Sequence, residues 1–121
     1  LSAFKTIRYN RSNLYSVFYN LISNAIKYRK PDVAPIVEIR TFNKGGACYV
    51  SVKDNGLGID MKKNGDKLFG MFQRLHSHVE GSGIGLHLVK SIITKNGGDI
   101  EVESAPGKGT EFILKLRQAK H

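Results

Sequence analysis

Leu14, Val17, Phe18, Leu21, Ile22, Ala25 and Ile26 recur at i, i+3, i+4 and i+7, and this spacing predicts a helix with one buried stripe. Asn10 or Ser12 can cap its start, and Pro31 forces its end soon afterwards. Before it, Phe4 to Tyr9 alternate well enough for a short strand. After it, Ile36 to Phe42 and Ala47 to Lys53 read as two strands joined by a hairpin turn at Asn43-Lys44-Gly45-Gly46. From Asp54 to Gly85 the periodicity fades into glycine and charge, broken only by a short apolar patch at Leu68, Phe69, Met71, Phe72 and Leu75. A stretch of that length without regular structure is expected to be a lid or mobile loop. A second helix then runs from Ile84 to about Lys95, burying Leu86, Val89, Ile92 and Ile93, and Asn96-Gly97-Gly98 stops it. Asp99 to Ser104 and Thr110 to Leu116 complete the chain as a hairpin around Ala105 to Gly109. This order predicts an α/β (α+β) two-layer sandwich, with helices on one face of a largely antiparallel sheet.

Composition narrows the function classes. The 121 residues are 40% hydrophobic and 24% charged, enough apolar content for one folded domain over residues 1–121. Cys48 is the single cysteine, which excludes an intrachain disulfide framework and a multi-cysteine zinc site. No apolar run approaches the ~20 residues of a membrane span, and no signal peptide is expected at its start. Leu1 is an unusual natural start, so a fragment of a longer protein is expected. Nineteen Lys and Arg against ten Asp and Glu give a formal charge of +9, which favours an anionic partner. The basic residues are scattered from Lys5 to Lys120, with short clusters at 27–30 and 62–63, and the aromatics fall at apolar periodic positions. A base-stacking platform would interleave the two, so no nucleic-acid partner is expected.

Four local patterns can carry chemistry. Asn20, Asn24 and Lys27 lie at i, i+4 and i+7 beside the apolar stripe of the first helix. An Asn amide oxygen suits Mg²⁺, which prefers oxygen ligands and arrives with phosphates, and Lys27 can meet a phosphate as a point charge; an ordinary exposed polar face explains the same stripe. Asp54-Asn55-Gly56-Leu57-Gly58-Ile59 follows a strong strand, where a carboxylate can accept from an exocyclic amine and glycines admit a flat ring; a simple turn is the alternative. The run Leu68-Phe69-Gly70-Met71-Phe72-Gln73-Arg74-Leu75 suggests one amphipathic turn, packed in the domain's own core or docked elsewhere, with Arg74 within reach of a terminal phosphate or in solvent. Gly81-Ser82-Gly83-Ile84-Gly85-Leu86 opens the second helix, where free N–H groups and the dipole favour an anion, unless these are only loop glycines. It matches neither the Rossmann fingerprint nor a Walker loop. Neither a zinc set around His76 and His78 nor a GxSxG elbow is present, and His87 reads as a helix-surface residue.

In this order the four patterns resemble the catalytic and ATP-binding domain of sensor histidine kinases, in the superfamily shared with type II topoisomerases, heat-shock chaperone ATPases and mismatch-repair ATPases. Asn20 to Tyr28 is similar to the family's Asn-box, Asp54 to Gly58 to its first glycine box, Phe69 to Arg74 to its Phe-box and Gly81 to Leu86 to its second glycine box. Gly107-Lys108-Gly109-Thr110-Glu111-Phe112 is similar to its terminal hairpin. The resemblance implies a Bergerat fold with a mixed, largely antiparallel sheet, ATP and Mg²⁺ as ligands, and a lid over about 60–81. It implies that Asn24 ligates Mg²⁺, Lys27 contacts phosphate, Tyr28 flanks adenine, and Asp54 accepts from the adenine amino group with Thr110 supporting it through water. Gly56, Gly58 and Ile59 would shape the base pocket. Ser82, Gly83, Ile84, Gly85 and Leu86 would hold the phosphates, Arg74 would reach the terminal one, and Phe69 and Phe72 would anchor the lid to a neighbouring helical domain.

In the ATP-hydrolysing relatives the residue one turn before the Mg²⁺ asparagine is typically Glu. Here it is Asn20, whose amide takes no proton near neutral pH. The resemblance therefore implies phosphoryl transfer to histidine, with Asn20, Lys27 and Arg74 at the reacting end and a very low ATPase rate. None of His76, His78, His87 or His121 has the His-Glu or His-Asp setting of an acceptor. The acceptor is then expected on a separate helical dimerisation domain, with a response-regulator receiver taking the group later. The isolated domain is expected to be monomeric and cytoplasmic. An ATP-hydrolysing relative, a degenerate interaction module and a basic nucleic-acid binder are the competing readings.

Overall fold

The computed structural model describes residues 7–69 and 85–117, the side chain of Asp66 excepted. Helix α1 spans Arg11–Lys27 and is capped by Asn10, whose Oδ1 accepts from the Asn13 N–H at 2.9 Å. Val17, Leu21 and Ala25, spaced by four, are its fully buried positions. The apolar stripe is wider than the core it feeds: Ile26 stays 46% exposed. Residues 7–9 form no strand, and the rest of the expected first strand lies outside the described residues.

Strands β1 (Val37–Lys44) and β2 (Ala47–Asp54) form the expected hairpin. Gly45 and Gly46 make its turn with φ of 57° and 80°, the two positive values a tight two-residue turn requires. Strands β3 (Asp99–Ser104) and β4 (Thr110–Leu116) form the second hairpin, and the sheet order is β1-β2-β4-β3. Every described pair is antiparallel. Alternation places Val50 and Val52, Phe112, Leu114 and Leu116, and Ile100 on one face, where α1 and α3 (Gly85–Lys95) cover them. From α3, Leu86, Val89 and Ile93 enter this core. The helix ends as expected: the Gly98 N–H bonds the Ile93 carbonyl and the Gly97 N–H that of Thr94, with Gly97 at φ 81°. β1 and β3 are the edge strands, and most side chains of β1 remain exposed.

The segment after Asp54 is more ordered at its start than its composition predicts. Asp60 caps a short helix α2 (Met61–Asn64), accepting from the Lys62 and Lys63 N–H groups, and a 3₁₀ turn over Gly65–Lys67 follows. Leu68 is buried in the core. Phe69 lies edge-on to Phe112 with centroids 6.4 Å apart, and Lys90 Nζ sits 5.0 Å from its ring centroid. Phe69 thus packs on its own domain, where a capped helical turn delivers it. Met71, Phe72 and Leu75 lie outside the described residues.

Candidate functional site

Beyond the end of β2 the sheet gives way to a cleft between α1 and α3, lined by Asn24, Tyr28, Asp54, Gly58, Ile59, Leu86, Thr110 and Phe112. Asp54 is the last residue of β2 and stands in register with Thr110, the first of β4. Its Oδ1 accepts from two backbone donors, the Gly56 N–H at 2.8 Å and the Thr110 N–H at 3.2 Å. Its Oδ2 accepts from no described residue. Burial pushes the carboxyl above its ordinary range, while the two backbone hydrogen bonds oppose that rise. The result is a fixed, half-buried acceptor with one open oxygen.

The loop after Asp54 is held by close backbone approach. The Leu57 N–H donates to the Tyr28 carbonyl at 2.8 Å, and a Cβ on Gly56 would come within 2.6 Å of that same oxygen. Gly58 has φ of 78°, and a Cβ there would run into the Ala105 carbonyl. The Gly107 N–H donates to the Leu57 carbonyl at 2.7 Å, and Lys30 Nζ donates to the Gly107 carbonyl at 2.8 Å. Glycine at 56 and 58 lets the end of α1, the loop and the β3–β4 turn pack as one wall.

That wall has a polar hub. Ser104 Oγ accepts from the Ile59 N–H at 2.8 Å, donates to the Gly109 carbonyl at 2.7 Å and lies 2.8 Å from Thr110 Oγ1. Asn24 presents its amide to the cleft, hydrogen-bonded to no described residue. One turn earlier, Asn20 Nδ2 donates to the Ser16 carbonyl at 2.7 Å, and its Oδ1 faces the first residue of α3, where a Cβ on Gly85 would come within 2.9 Å of it. Lys27, the last residue of α1, is exposed.

Of the residues singled out in the sequence, Asn24, Tyr28, Asp54, Gly58, Ile59, Leu86 and Thr110 converge on the cleft. Asn20 and Gly85 adjoin it where α1 meets α3, Gly56 backs Asp54, and Lys27 stands off its lining. Arg74, Ser82, Gly83 and Ile84 lie outside the described residues. Thr110 reaches Asp54 through its own N–H, a direct contact that the expectation of a water-mediated one did not include. Two residues were missed as site residues. Phe112 lines the cleft and was legible from the inward alternation of Thr110, Phe112 and Leu114, whereas Ser104 has no local signature because its partners come from two separate segments, the loop at Ile59 and the start of β4 at Gly109 and Thr110.

The chain matches the family described as histidine kinase-, DNA gyrase B- and HSP90-like ATPases over residues 9–120. It is 40% identical over 113 residues to the sensor protein RprX of Bacteroides fragilis, covering 90% of this chain and 22% of that protein. It is 33% identical to the sensor histidine kinase WalK of Bacillus subtilis, over 91% of this chain and 18% of that one. The chain therefore spans about a fifth of the length of these relatives. Among solved structures, full-length ShkA in complex with AMPPNP superposes with a TM-score of 0.80 at 26% identity, covering 99% of this chain and 24% of that one. The mycobacterial sensor histidine kinase MprB gives 0.78 at 27% identity, covering 93% and 78%. With its antiparallel sheet, its covering helices and a match over almost its whole length, the chain belongs to the histidine kinase-, DNA gyrase B- and HSP90-like ATPase family, as the ATP-binding domain type of sensor histidine kinases.

Proposed function

We propose that this chain binds Mg-ATP and passes the γ-phosphoryl group to a histidine on a separate helical dimerisation domain, from which a response-regulator receiver takes it. The observation that carries the reading is Asp54: one oxygen is fixed by two backbone N–H groups and the other is open to the cleft. Such a carboxylate accepts from the exocyclic amine of adenine. Tyr28, Ile59, Leu86 and Phe112 give the base apolar walls. The donor set also fits a magnesium ion delivered with phosphates, because the Asn24 amide is a neutral oxygen donor with no described partner. Bound magnesium would neutralise phosphate charge. Gly85 and Leu86 open α3, whose N-terminal dipole favours the phosphate chain, and Ser82, Gly83 and Ile84 precede them in sequence. Lys27 and Arg74 would supply cationic charge to the transferring group.

Histidine is the better acceptor than water because Asn20 occupies the position of a base. Its amide is tied to the Ser16 carbonyl and takes no proton near neutral pH. A neutral imidazole needs no such base to attack phosphorus.

The test has two stages. A fluorescent ATP analogue is titrated into the chain with and without Mg²⁺; Mg²⁺ tightens binding in the parent, and Asn24→Ala removes most of that gain. A purified acceptor domain and labelled ATP then yield acid-labile phosphohistidine on the acceptor. No nucleotide binding in either condition refutes the site, and binding with rapid hydrolysis but no phosphohistidine refutes the transfer.

A further inference from the structure

Resting on the ATP-binding reading above, we infer that Ser104 is a positioning residue for base selection: it fixes the direction of the Thr110 hydroxyl so that Thr110 and Asp54 present acceptors side by side in the cleft. Ser104 Oγ carries one, and the Gly109 carbonyl 2.7 Å away can only accept, so that hydrogen is spent there. The Ile59 N–H at 2.8 Å fills one of the two Oγ lone pairs. The contact of 2.8 Å between Ser104 Oγ and Thr110 Oγ1 is then possible in one sense alone, with Thr110 donating and Ser104 accepting. Both Ser104 lone pairs are now filled.

Thr110 is left with lone pairs and no free hydrogen, and it lines the cleft beside Asp54. Asp54 Oδ2 also only accepts. Two neighbouring acceptors welcome a ligand edge that carries an amino group, directly or through a water, and oppose an edge that carries a carbonyl oxygen. A six-amino group is therefore accepted and a six-oxo group opposed, and the Thr110 share of that opposition is set by a residue that need not touch the base. The arrangement is anchored in the fold: Ser104 and Thr110 are the last register pair of β3 and β4, and Thr110 is simultaneously tied to Asp54 by its backbone N–H.

The test compares ATP with inosine triphosphate, which carries oxo in place of amino at C6 and a hydrogen on N1 where adenine has a lone pair, by titration into the 121-residue chain. Purine riboside triphosphate, which lacks the amino group and keeps the N1 lone pair, separates the two changes. In Ser104→Ala the Thr110 hydroxyl has no fixed acceptor and can turn its hydrogen to the ligand. The ATP-to-inosine-triphosphate affinity ratio is then expected to fall about tenfold, the scale of one hydrogen bond gained or mismatched. Ser104→Thr, which keeps the hydroxyl, retains the parent ratio. In a Thr110→Val background, Ser104→Ala no longer changes the ratio, because there is no hydroxyl left to turn. Ser104→Cys, whose thiol accepts weakly, carries the same expectation should the alanine variant fail to fold. A lowered melting temperature with an unchanged ratio in Ser104→Ala overturns the inference and leaves ATP binding standing. A parent chain that binds neither nucleotide overturns both.

Discussion

Replacing Asp54 by Asn separates what the carboxylate does for the ligand from what it does for the fold. In the parent, Oδ1 is engaged by the N–H groups of Gly56 and Thr110, and Oδ2 is open. Asn keeps the first oxygen and both backbone bonds. It replaces the second oxygen with an NH₂ group, which meets an adenine amine donor to donor. A hydrogen bond to a charged acceptor is worth about 1.5–3 kcal/mol, so ATP affinity should fall about 10- to 150-fold. The free protein should respond oppositely. Burial raises the Asp54 pKa more than the two backbone bonds lower it, so the ionised group is a net cost to the folded state. That cost is absent below the unfolded carboxylate pKa and is incurred as pH rises through the higher folded value. At pH 7 the Asp54→Asn chain should therefore melt at or above the parent temperature, and the gap should narrow as pH falls through the carboxylate range. Isothermal titration and scanning calorimetry over pH 4 to 7 measure both halves. An unchanged ATP affinity refutes the role of Oδ2, and a melting temperature several degrees lower at pH 7 refutes the claim that the charge is a cost.

The other expectations concern the frame around that carboxylate. Gly58→Ala puts a Cβ at φ 78° against the Ala105 carbonyl, so a loss of about 2–3 kcal/mol and a melting temperature lower by roughly 8–15 °C are expected by calorimetry. No measurable drop would mean the loop and the β3–β4 turn are not held together there. Leu21→Ala empties a fully buried site in the centre of α1 and should cost about 2–5 kcal/mol in urea unfolding, whereas the same change at the 46% exposed Ile26 should cost well under half of that. Equal costs would show that the outer side of α1 is as tightly packed as its inner side.

The sequence carried the helices and both hairpins because each is a local pattern with local punctuation. Asn10 caps α1 through a residue three positions on, Gly45 and Gly46 supply paired positive φ values, and Gly97 and Gly98 close α3 on carbonyls within its last turn. Burial was legible only in part. Periodicity marks Ile26 as apolar but not which side of a wide stripe meets α3 and the sheet, and that choice is tertiary. The order of Asp60 to Phe69 was hidden because glycine and lysine dilute the pattern, while what organises it is one cap at Asp60 and two apolar anchors, Leu68 and Phe69. In the cleft, Asn24, Asp54 and Thr110 stood out as motif residues, but the partition along α1 did not: one helix face leaves Asn20 against Gly85, Asn24 in the cleft and Lys27 exposed.

Residues that share no motif nonetheless act on the same few ångströms. The Thr110 N–H steadies Asp54, the Thr110 hydroxyl is committed to Ser104, and Ser104 holds the Ile59 N–H as the loop passes over the hairpin. Each of these bonds joins a different pair of segments, so the cleft wall forms only when β2, β3 and β4 are already in register. Register is therefore a functional quantity here. A slip of one residue between β2 and β4 would turn Thr110 to the opposite face of the sheet and remove the Asp54 contact while leaving the hairpins intact. The Phe112–Leu114–Leu116 row, buried against α1 and α3, opposes that slip most strongly, because the same shift would drive all three into solvent. Core packing that runs from the cleft wall at Phe112 to Leu116 thus sets the position of the carboxylate within it.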